Sequence, residues 1–119
     1  MRHINCWFIG GLAVLMTACR PSNVLDEATM ENLLHDMHRI EGILYEEGYS
    51  IDKTDEIAAY YSVLLSKYGV TQAQFDSSLV WYTDHPTRFD KIYPRILERL
   101  QAEREAINQA EQTLQSLGQ

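Results

Sequence analysis

Residues 67–75 read KYGVTQAQF, and this stretch indicates most clearly how the chain folds. Thr71 and Gln74 have the spacing of a capping box, in which the threonine hydroxyl caps the start of a helix and the glutamine reaches back to the cap amide. Val70 and Phe75 occupy the two positions of a hydrophobic staple around the same cap. The stretch therefore predicts a helix that begins directly after Thr71.

Upstream of this cap, two helical patterns each end at a glycine. The first begins at Asp26, a favourable N-cap, and ends at Gly48. The second runs from about Thr54 to Tyr68 and ends at Gly69, where a left-handed residue commonly terminates a helix. Apolar residues recur at helical spacing in both, namely Met30, Leu33, Leu34, Met37, Ile40 and Leu44 in the first and Ile57, Tyr61, Leu64 and Tyr68 in the second.

Downstream of the cap, Asp84 ends the third helix and Pro86 suits the first position of a long fourth helix. Apolar positions there alternate in steps of four and three, which is typical of a heptad seam with one polar member; they are Phe89, Tyr93, Ile96, Leu100, Glu103, Ile107, Ala110, Leu114 and Leu117. Pro94 removes a backbone amide inside this helix, and the unbroken period favours a kink over a break. A seam of this kind also suits a homodimer formed through the C-terminal helix.

No segment has the alternating period of a strand, and the turns are short. We therefore predict an all-α domain at residues 26–119. It should be a small four-helix bundle with a long, kinked C-terminal helix.

Residues 1–18 have the pattern of a bacterial lipoprotein signal peptide. Arg2 gives a positive start, residues 4–15 form a short apolar run, and Met16-Thr17-Ala18 precedes Cys19 as in a lipobox. We expect cleavage before Cys19 and lipidation of its thiol, with residues 19–25 as lipidated N-terminus and tether. The alternative is an ordinary secretory signal in which Cys19 is incidental.

Composition narrows the classes of partner. Cleavage before Cys19 would also remove Arg2 and Cys6, so that residues 19–119 carry nine bases and seventeen acids, a net charge of −8, with one cysteine and no internal disulfide. Ten acids and two bases lie within residues 26–56. Such an acidic domain is a poor binder of nucleic acid or anionic lipid, because the phosphate interaction would be repulsive. Calcium or a basic protein partner remains compatible, and a solvated acidic face is the simpler interpretation.

Glu41 is the polar residue that most disturbs the apolar pattern of the first helix. It lies about 40° from the centre of that face at 100° per residue, so we expect it to point inward and to need a partner. A tyrosine hydroxyl, His38 or Arg88 could supply one. Three interpretations stay open: a buried structural hydrogen bond, a functional carboxylate with a raised pKa, or an edge position open to solvent.

His38 stands three residues before Glu41, with Asp36 further round the helix. Two ligand-type groups on neighbouring turns could begin a metal site, but no second cluster has ligand spacing, so no metal and no cofactor is predicted. Trp81 points away from the apolar face of the third helix, and it either packs against the first helix or marks a binding surface. No Gly-x-Ser-x-Gly and no phosphate loop is present, so we predict no enzymatic activity and no catalytic residues.

Several segments together resemble a family of small Bacteroidota lipoproteins known as domain of unknown function 4296. They are 60–64 (YYSVL), 67–71 (KYGVT), 74–79 (QFDSSL), Tyr82, 85–86 (HP) and 92–93 (IY), with Met30, 34–38 (LHDMH) and Glu41 in the first helix. Pro94 departs from the family, which more often continues with a helix former there. The resemblance implies an envelope lipoprotein and implies no activity.

The expected function is that of a non-enzymatic interaction or accessory module. Arg20, rather than an aspartate, follows Cys19, which favours anchoring in the outer membrane with the domain facing the periplasm. The expected partners are the membrane, through the lipid, and an envelope protein. The alternative is a small-ligand or metal-binding module that uses Glu41 and His38.

Overall fold

A computed structural model describes residues 19–48 and 53–118. It contains four helices, α1 (Glu27–Glu46), α2 (Thr54–Lys67), α3 (Gln72–Asp84) and α4 (Pro86–Leu117), and no strand within those two ranges. The predicted all-α class and the long C-terminal helix are therefore confirmed. The predicted signal peptide at residues 1–18 lies outside the described residues. No described helix is both long and apolar enough to cross a membrane.

The helix ends follow the local sequence signals. The Asp26 carboxylate accepts from the Thr29 amide at 2.8 Å and caps α1. The Gln74 amide donates to the Thr71 hydroxyl at 3.1 Å, and the Thr71 amide donates to the Gln74 side chain at 3.3 Å, so the capping box of α3 is complete. Gly69, directly after the C-cap Tyr68 of α2, has φ 63°, a conformation that costs glycine little.

In the bundle, α1 and α4 run in one direction and α2 and α3 run in the opposite direction. In α1 and α4 the numbers of the ion-paired residues rise together, from Glu27 with Arg88 (2.9 Å) to Arg39 with Glu103 (3.3 Å), so these helices are parallel. Lys67 pairs with Asp36, whereas Tyr61, earlier in α2, bonds Glu41, later in α1, so α2 runs antiparallel to α1. Ser78 and Tyr82 of α3 bond the backbone of Leu25, which precedes α1. The chain therefore runs along α3 from the end of α2 towards the start of α1.

The hydrophobic core lies at one end of this arrangement. Its buried members are Val24, Leu25, Met30, Leu33, Leu34, Leu65, Val70, Phe75, Tyr82, Ile92 and Ile96. We call residues 24–37 and 64–100 the proximal half, and residues 38–48, 53–63 and 101–118 the distal half. Every member of this cluster belongs to the proximal half, and in the distal half Leu44 of α1 is buried apart from it.

Only part of the predicted seam of α4 is buried. Within α4 the buried residues are Ile92 and Ile96, and Ile92 was not among the predicted seam positions. Phe89, Tyr93 and Leu100 pack against the core from its edges. Ile107, Leu114 and Leu117 are 59%, 69% and 79% exposed. The helix continues through Pro94 without a break, as the unbroken period predicted.

Candidate functional site

Glu41 does not point into the core, and the prediction that it faces inward is wrong. Its side chain is half exposed. Tyr61 donates its hydroxyl to Glu41 at 3.2 Å, and Nδ1 of His38 lies 3.3 Å from the second carboxylate oxygen. Arg88, the third expected partner, instead pairs with Glu27. Tyr61 of α2 contacts Glu41, but half of the side chain stays open to solvent, so the residue lies at the edge of the α1–α2 contact.

The contact with Glu41 contributes to a shift in the pKa of Tyr61. Partial burial first, and then the negative charge and hydrogen bonding of Glu41, raise the pKa of the Tyr61 hydroxyl. His38, about one third exposed, also lies edge-on to the ring of Tyr93, with 6.2 Å between ring centroids. Glu41, His38 and Tyr61 thus form a small polar site at the bundle surface. Nowhere in residues 19–48 and 53–118 do three or more histidine, cysteine or acidic side chains gather as metal ligands would.

Asp36 is the best-connected carboxylate of the candidate residues. Lys67 donates to it at 2.6 Å and Tyr68 at 2.7 Å, while Nδ1 of His35 lies 3.3 Å away. Desolvation would raise the pKa of Asp36, but these hydrogen bonds and the charge of Lys67 outweigh it and lower the pKa to about 2. The carboxylate therefore stays ionised and fastens the end of α2 to α1.

His35 is a buried polar residue that sequence reasoning did not single out. It is 2% exposed, and its Nδ1 lies between Asp36 and Nη2 of Arg99, the latter 3.4 Å away. Because one nitrogen either donates or accepts, Nδ1 can bond only one of these neighbours at a time. Nε2 lies 2.9 Å from Glu103 but is not directed at it, so it makes no well-formed hydrogen bond.

Glu103 was the sequence signal for this cluster. It was the one polar member of the predicted seam, and a charge in a seam calls for a polar residue on the facing helix. In the structure it contacts both His35 and Arg39 of α1. The cluster closes the α1–α4 interface with paired charges and serves the packing of the two helices.

Trp81 is partly buried and covers the core beside the turn between α3 and α4. Its ring stacks on His85 with 4.1 Å between centroids and meets Tyr82 edge-on at 5.0 Å. Nδ1 of His85 lies 2.7 Å from the Trp81 carbonyl, so the imidazole caps the end of α3 when it donates from that nitrogen. The ring contacts of Trp81 are with α3 and the following turn, and this arrangement matches a packing role.

The described N-terminal segment is held firmly to α3. Leu25 donates its amide to the buried Ser78 hydroxyl at 2.9 Å and accepts from the Tyr82 hydroxyl at 3.0 Å. Ser78 in turn donates to the Gln74 carbonyl at 2.6 Å. Both backbone groups of Leu25 are thus satisfied by side chains of one helix, which fixes where the chain enters the domain. Cys19, six residues earlier, is exposed.

Comparison with known proteins identifies the family of the chain. No curated protein and no solved structure matches it. A family model described as Domain of unknown function (DUF4296) matches residues 21–106, which include α1, α2, α3 and the part of α4 that packs on the core. Since this match covers well over half of the chain, the protein belongs to the DUF4296 family.

Proposed function

We propose that this protein is a lipid-anchored, non-enzymatic interaction module of the bacterial envelope, held on the periplasmic face of the outer membrane. The observation that carries the proposal is the lipobox at residues 16–19, followed at once by a short link to the folded domain. Arg20 after the cysteine, in place of an aspartate, favours the outer membrane.

The way the chain enters the domain gives this anchor a defined geometry. Val24 and Leu25 are buried, and Leu25 is bonded to Ser78 and Tyr82, so residues 19–23 are the only link between the lipid and the fold. Five residues span at most about 17 Å when fully extended. The proximal half would therefore lie close to the membrane. From it extend α1 and α4, which are about 30 Å and 48 Å long at 1.5 Å per residue.

The candidate polar residues support an interaction role over a catalytic one. Asp36 is held ionised by Lys67 and Tyr68 and ties two helices together. Glu103 is likewise paired with Arg39 across the α1–α4 interface. Because these polar groups serve the packing of the helices, we infer that the domain acts by binding another molecule at its surface.

A small-ligand or metal-binding module remains the second candidate. It is favoured by one observation, the approach of His38 to Glu41 at 3.3 Å in an accessible position beside Tyr61. The pair supplies two ligand atoms, whereas a structural zinc site needs four. Calorimetric titration of the protein with zinc and calcium separates this candidate from the first.

The anchor is tested by replacing Cys19 with alanine and separating membranes from soluble protein. We expect Cys19→Ala to fold as the parent does and to leave the membrane pellet after a salt wash, because two or three acyl chains give stable anchoring that a protein surface does not. Cys6→Ala is the matched control, since that cysteine lies in the segment to be removed, and it should stay with the membrane. Retention of Cys19→Ala in the washed pellet would contradict the proposal.

A further inference from the structure

The last part of α4 carries an apolar face that is open to solvent. We call residues 100–117 the α4 tail; its exposed seam residues are Ile107, Leu114 and Leu117. Arg39 pairs with Glu103, and α1 and α4 are parallel, so Glu46 at the end of α1 lies level with residue 110. Leu114 and Leu117 therefore lie beyond the end of α1. Because a short helix without packing partners is only marginally stable in water, a cover over this face would stabilise the tail.

Beside α1, the α4 tail borders an open cleft of about 650 Å³. One helical face of α4 offers this cleft two apolar and two charged side chains, at steps of four, three and four residues. They are Leu100, Arg104, Ile107 and Glu111. On α1 the lining includes a residue of each charge, Arg39 and Glu46, and Gly42, where an added side chain would meet no neighbouring atom within 4 Å. The cleft is therefore mixed in charge, and it favours a partner that also carries both signs.

A second copy of the α4 tail matches this face when the two helices run antiparallel. Placing Ile107 opposite the partner's Ala110 aligns the apolar end of each tail with the other tail. In the same register Arg104 lies beside the partner's Glu111, and the two-fold symmetry of the pair repeats this contact. Charges that flank a seam set the orientation and register of paired helices. The sequence of the tail is therefore complementary to itself in this one arrangement.

The neighbouring arrangements bring like charges together. Moving the antiparallel pair by one heptad sets Arg104 beside the partner's Arg104 in one direction, and Glu111 beside the partner's Glu111 in the other. A parallel pair sets Glu103 against the partner's Glu103 within the seam and brings Arg104 near the partner's Arg99. Only the first register replaces these repulsions with attraction.

We propose that two copies of this chain associate by antiparallel pairing of their α4 tails, in the register that sets Arg104 beside the partner's Glu111. Ile107 and Leu114, exposed in one chain, become buried between the two. The overlap is short, and Glu103 lies in the seam, although its ion pair holds it towards α1. Because a polar seam residue lowers the stability of paired helices, the dimer is weak and the dilute chain is a monomer.

This inference goes beyond the proposed function and does not depend on the lipid anchor, but it is compatible with one. The two-fold axis of an antiparallel pair is perpendicular to both helices, so it leaves both copies of Cys19 on the same side of the pair. Both lipids can therefore enter one membrane when the α4 tails lie along it. Confinement to that membrane would raise the local concentration and favour the dimer.

Charge argues for this occupant over the others. After Arg104, the tail carries two acids, Glu105 and Glu111, and no base, so a membrane of anionic lipid would be repelled. A partner helix of a single charge sign would meet a like charge at either Arg104 or Glu111. A second antiparallel copy supplies the opposite charge at both positions, and Glu46, level with residue 110, adds an acid near the partner's Arg104.

The first test uses the full chain with Cys19→Ala, which carries no lipid, so that association is measured without detergent micelles. Sedimentation equilibrium should show a monomer at about 10 µM and mostly dimer at about 1 mM. Leu114→Asp should weaken association at least about tenfold, because it would bury a charge within the pair. Val80→Asp, at an exposed site on α3, is the matched control and should leave association unchanged. Melting curves confirm that both variants fold.

Charge reversal tests the register. Arg104→Glu and Glu111→Arg should each weaken association at least about fivefold, because each creates two like-charge pairs in the symmetric dimer. The chain with both reversals should associate within about twofold of the parent, and an equimolar mixture of the two single variants should form a mixed dimer. Glu105→Arg, which changes the net charge as Glu111→Arg does but lies on the outer side of the tail, should not weaken association.

The contrary outcomes each overturn the proposal. They are a chain that stays monomeric at the highest concentration, equal losses for Leu114→Asp and Val80→Asp, or no recovery in the double reversal. Stronger association of Arg104→Glu would instead indicate a parallel pair. Binding to anionic vesicles that Leu114→Asp abolishes would assign the face to lipid. Fractionation of Cys19→Ala reports on the anchor separately, so failure of the dimer and failure of the anchor are distinguishable.

Discussion

Ile96 and Ile107 occupy the same predicted seam of one continuous helix, yet Ile96 is fully buried and Ile107 is 59% exposed. The difference lies in what stands opposite each residue. Ile96, in the proximal half, joins the core built with residues of α1 and α3, including Leu33 and Tyr82. Ile107, in the distal half, lies beyond that core. The family match ends at residue 106, so it covers the part of α4 that contributes to the core and stops one residue short of Ile107.

The two halves show that an apolar period fixes the orientation of a helix face and leaves its burial undetermined. A stripe at positions three and four apart is buried only where another element covers it. In the proximal half α1, α3 and α4 cover one another's apolar stripes. In the distal half the stripe of α4 remains exposed at Ile107, Leu114 and Leu117.

The largest expected effect separates the two halves directly. Ile96→Ala should lower the free energy of unfolding by about 3 kcal/mol, because it leaves a cavity in the core. Ile107→Ala should change it by less than about 0.5 kcal/mol, as is usual for exposed positions. Urea denaturation of both variants measures the contrast. Similar losses at the two sites would mean that the distal seam is covered in solution, as a dimer through α4 would require.

Acid should have the next largest effect, because it weakens the attachment of α2 to α1 through Asp36. The folded protein holds the proton of Asp36 more weakly than the unfolded chain does, because the pKa falls from 3.8 to about 2. The stabilisation by this carboxylate, about 2 kcal/mol, is therefore complete above about pH 5 and is lost as the pH falls through about 2. Denaturation curves across this range should show a shallower pH dependence for Asp36→Asn.

Tyr68→Phe sharpens that test. It removes one of the two short hydrogen bonds to Asp36 while leaving Lys67 in place, so its loss of stability between pH 4 and pH 2 should lie between those of the parent and Asp36→Asn. An unchanged slope in Asp36→Asn would show that the contact between α1 and α2 does not depend on this carboxylate.

The sequence predicted the features that depend on neighbouring residues and missed those that depend on distant ones. The caps at Asp26 and Thr71 and the glycine after α2 were predictable because each depends on a few neighbouring residues. The burial of His35 was not, since it depends on Arg99 and Glu103, more than 60 positions away. The prediction for Glu41 was wrong because a helical angle does not show how far the facing helix covers a residue: Tyr61 of α2 reaches Glu41, but half of its side chain stays open to solvent.

The cap of α3 at Thr71 depends on neighbouring residues, so we expect its removal to cost only the stability of that one contact. Thr71→Ala removes the hydroxyl that accepts from the Gln74 amide, and we expect it to cost about 1 kcal/mol. Thr71→Ser keeps the oxygen and should retain most of the stability. Thr113→Ala in the exposed part of α4 is the matched control; its hydroxyl only bonds the Gln109 carbonyl one turn earlier, so its loss should cost nothing measurable. If the melting curve of Thr71→Ala matches that of the parent, the stability of α3 does not depend on this cap.

The smallest expected effect belongs to Glu41, and it tests the distal half as a surface. Glu41→Ala should change the free energy of unfolding by less than about 0.5 kcal/mol, because the contacts of its carboxylate with His38 and Tyr61 are half exposed to solvent. A loss of about 2 kcal/mol, the scale of a buried partner left unsatisfied, would restore the interpretation of a buried carboxylate.

Glu41→Gln isolates the charge at nearly constant shape. Since the negative charge of Glu41 adds to burial in raising the pKa of Tyr61, this variant should shift one tyrosine towards its ordinary pKa in an ultraviolet titration. The same two proteins should be titrated with zinc and calcium. Stoichiometric metal binding by the parent that disappears in Glu41→Gln, with an unchanged melting curve, would make this corner a ligand site and overturn its assignment as ordinary surface.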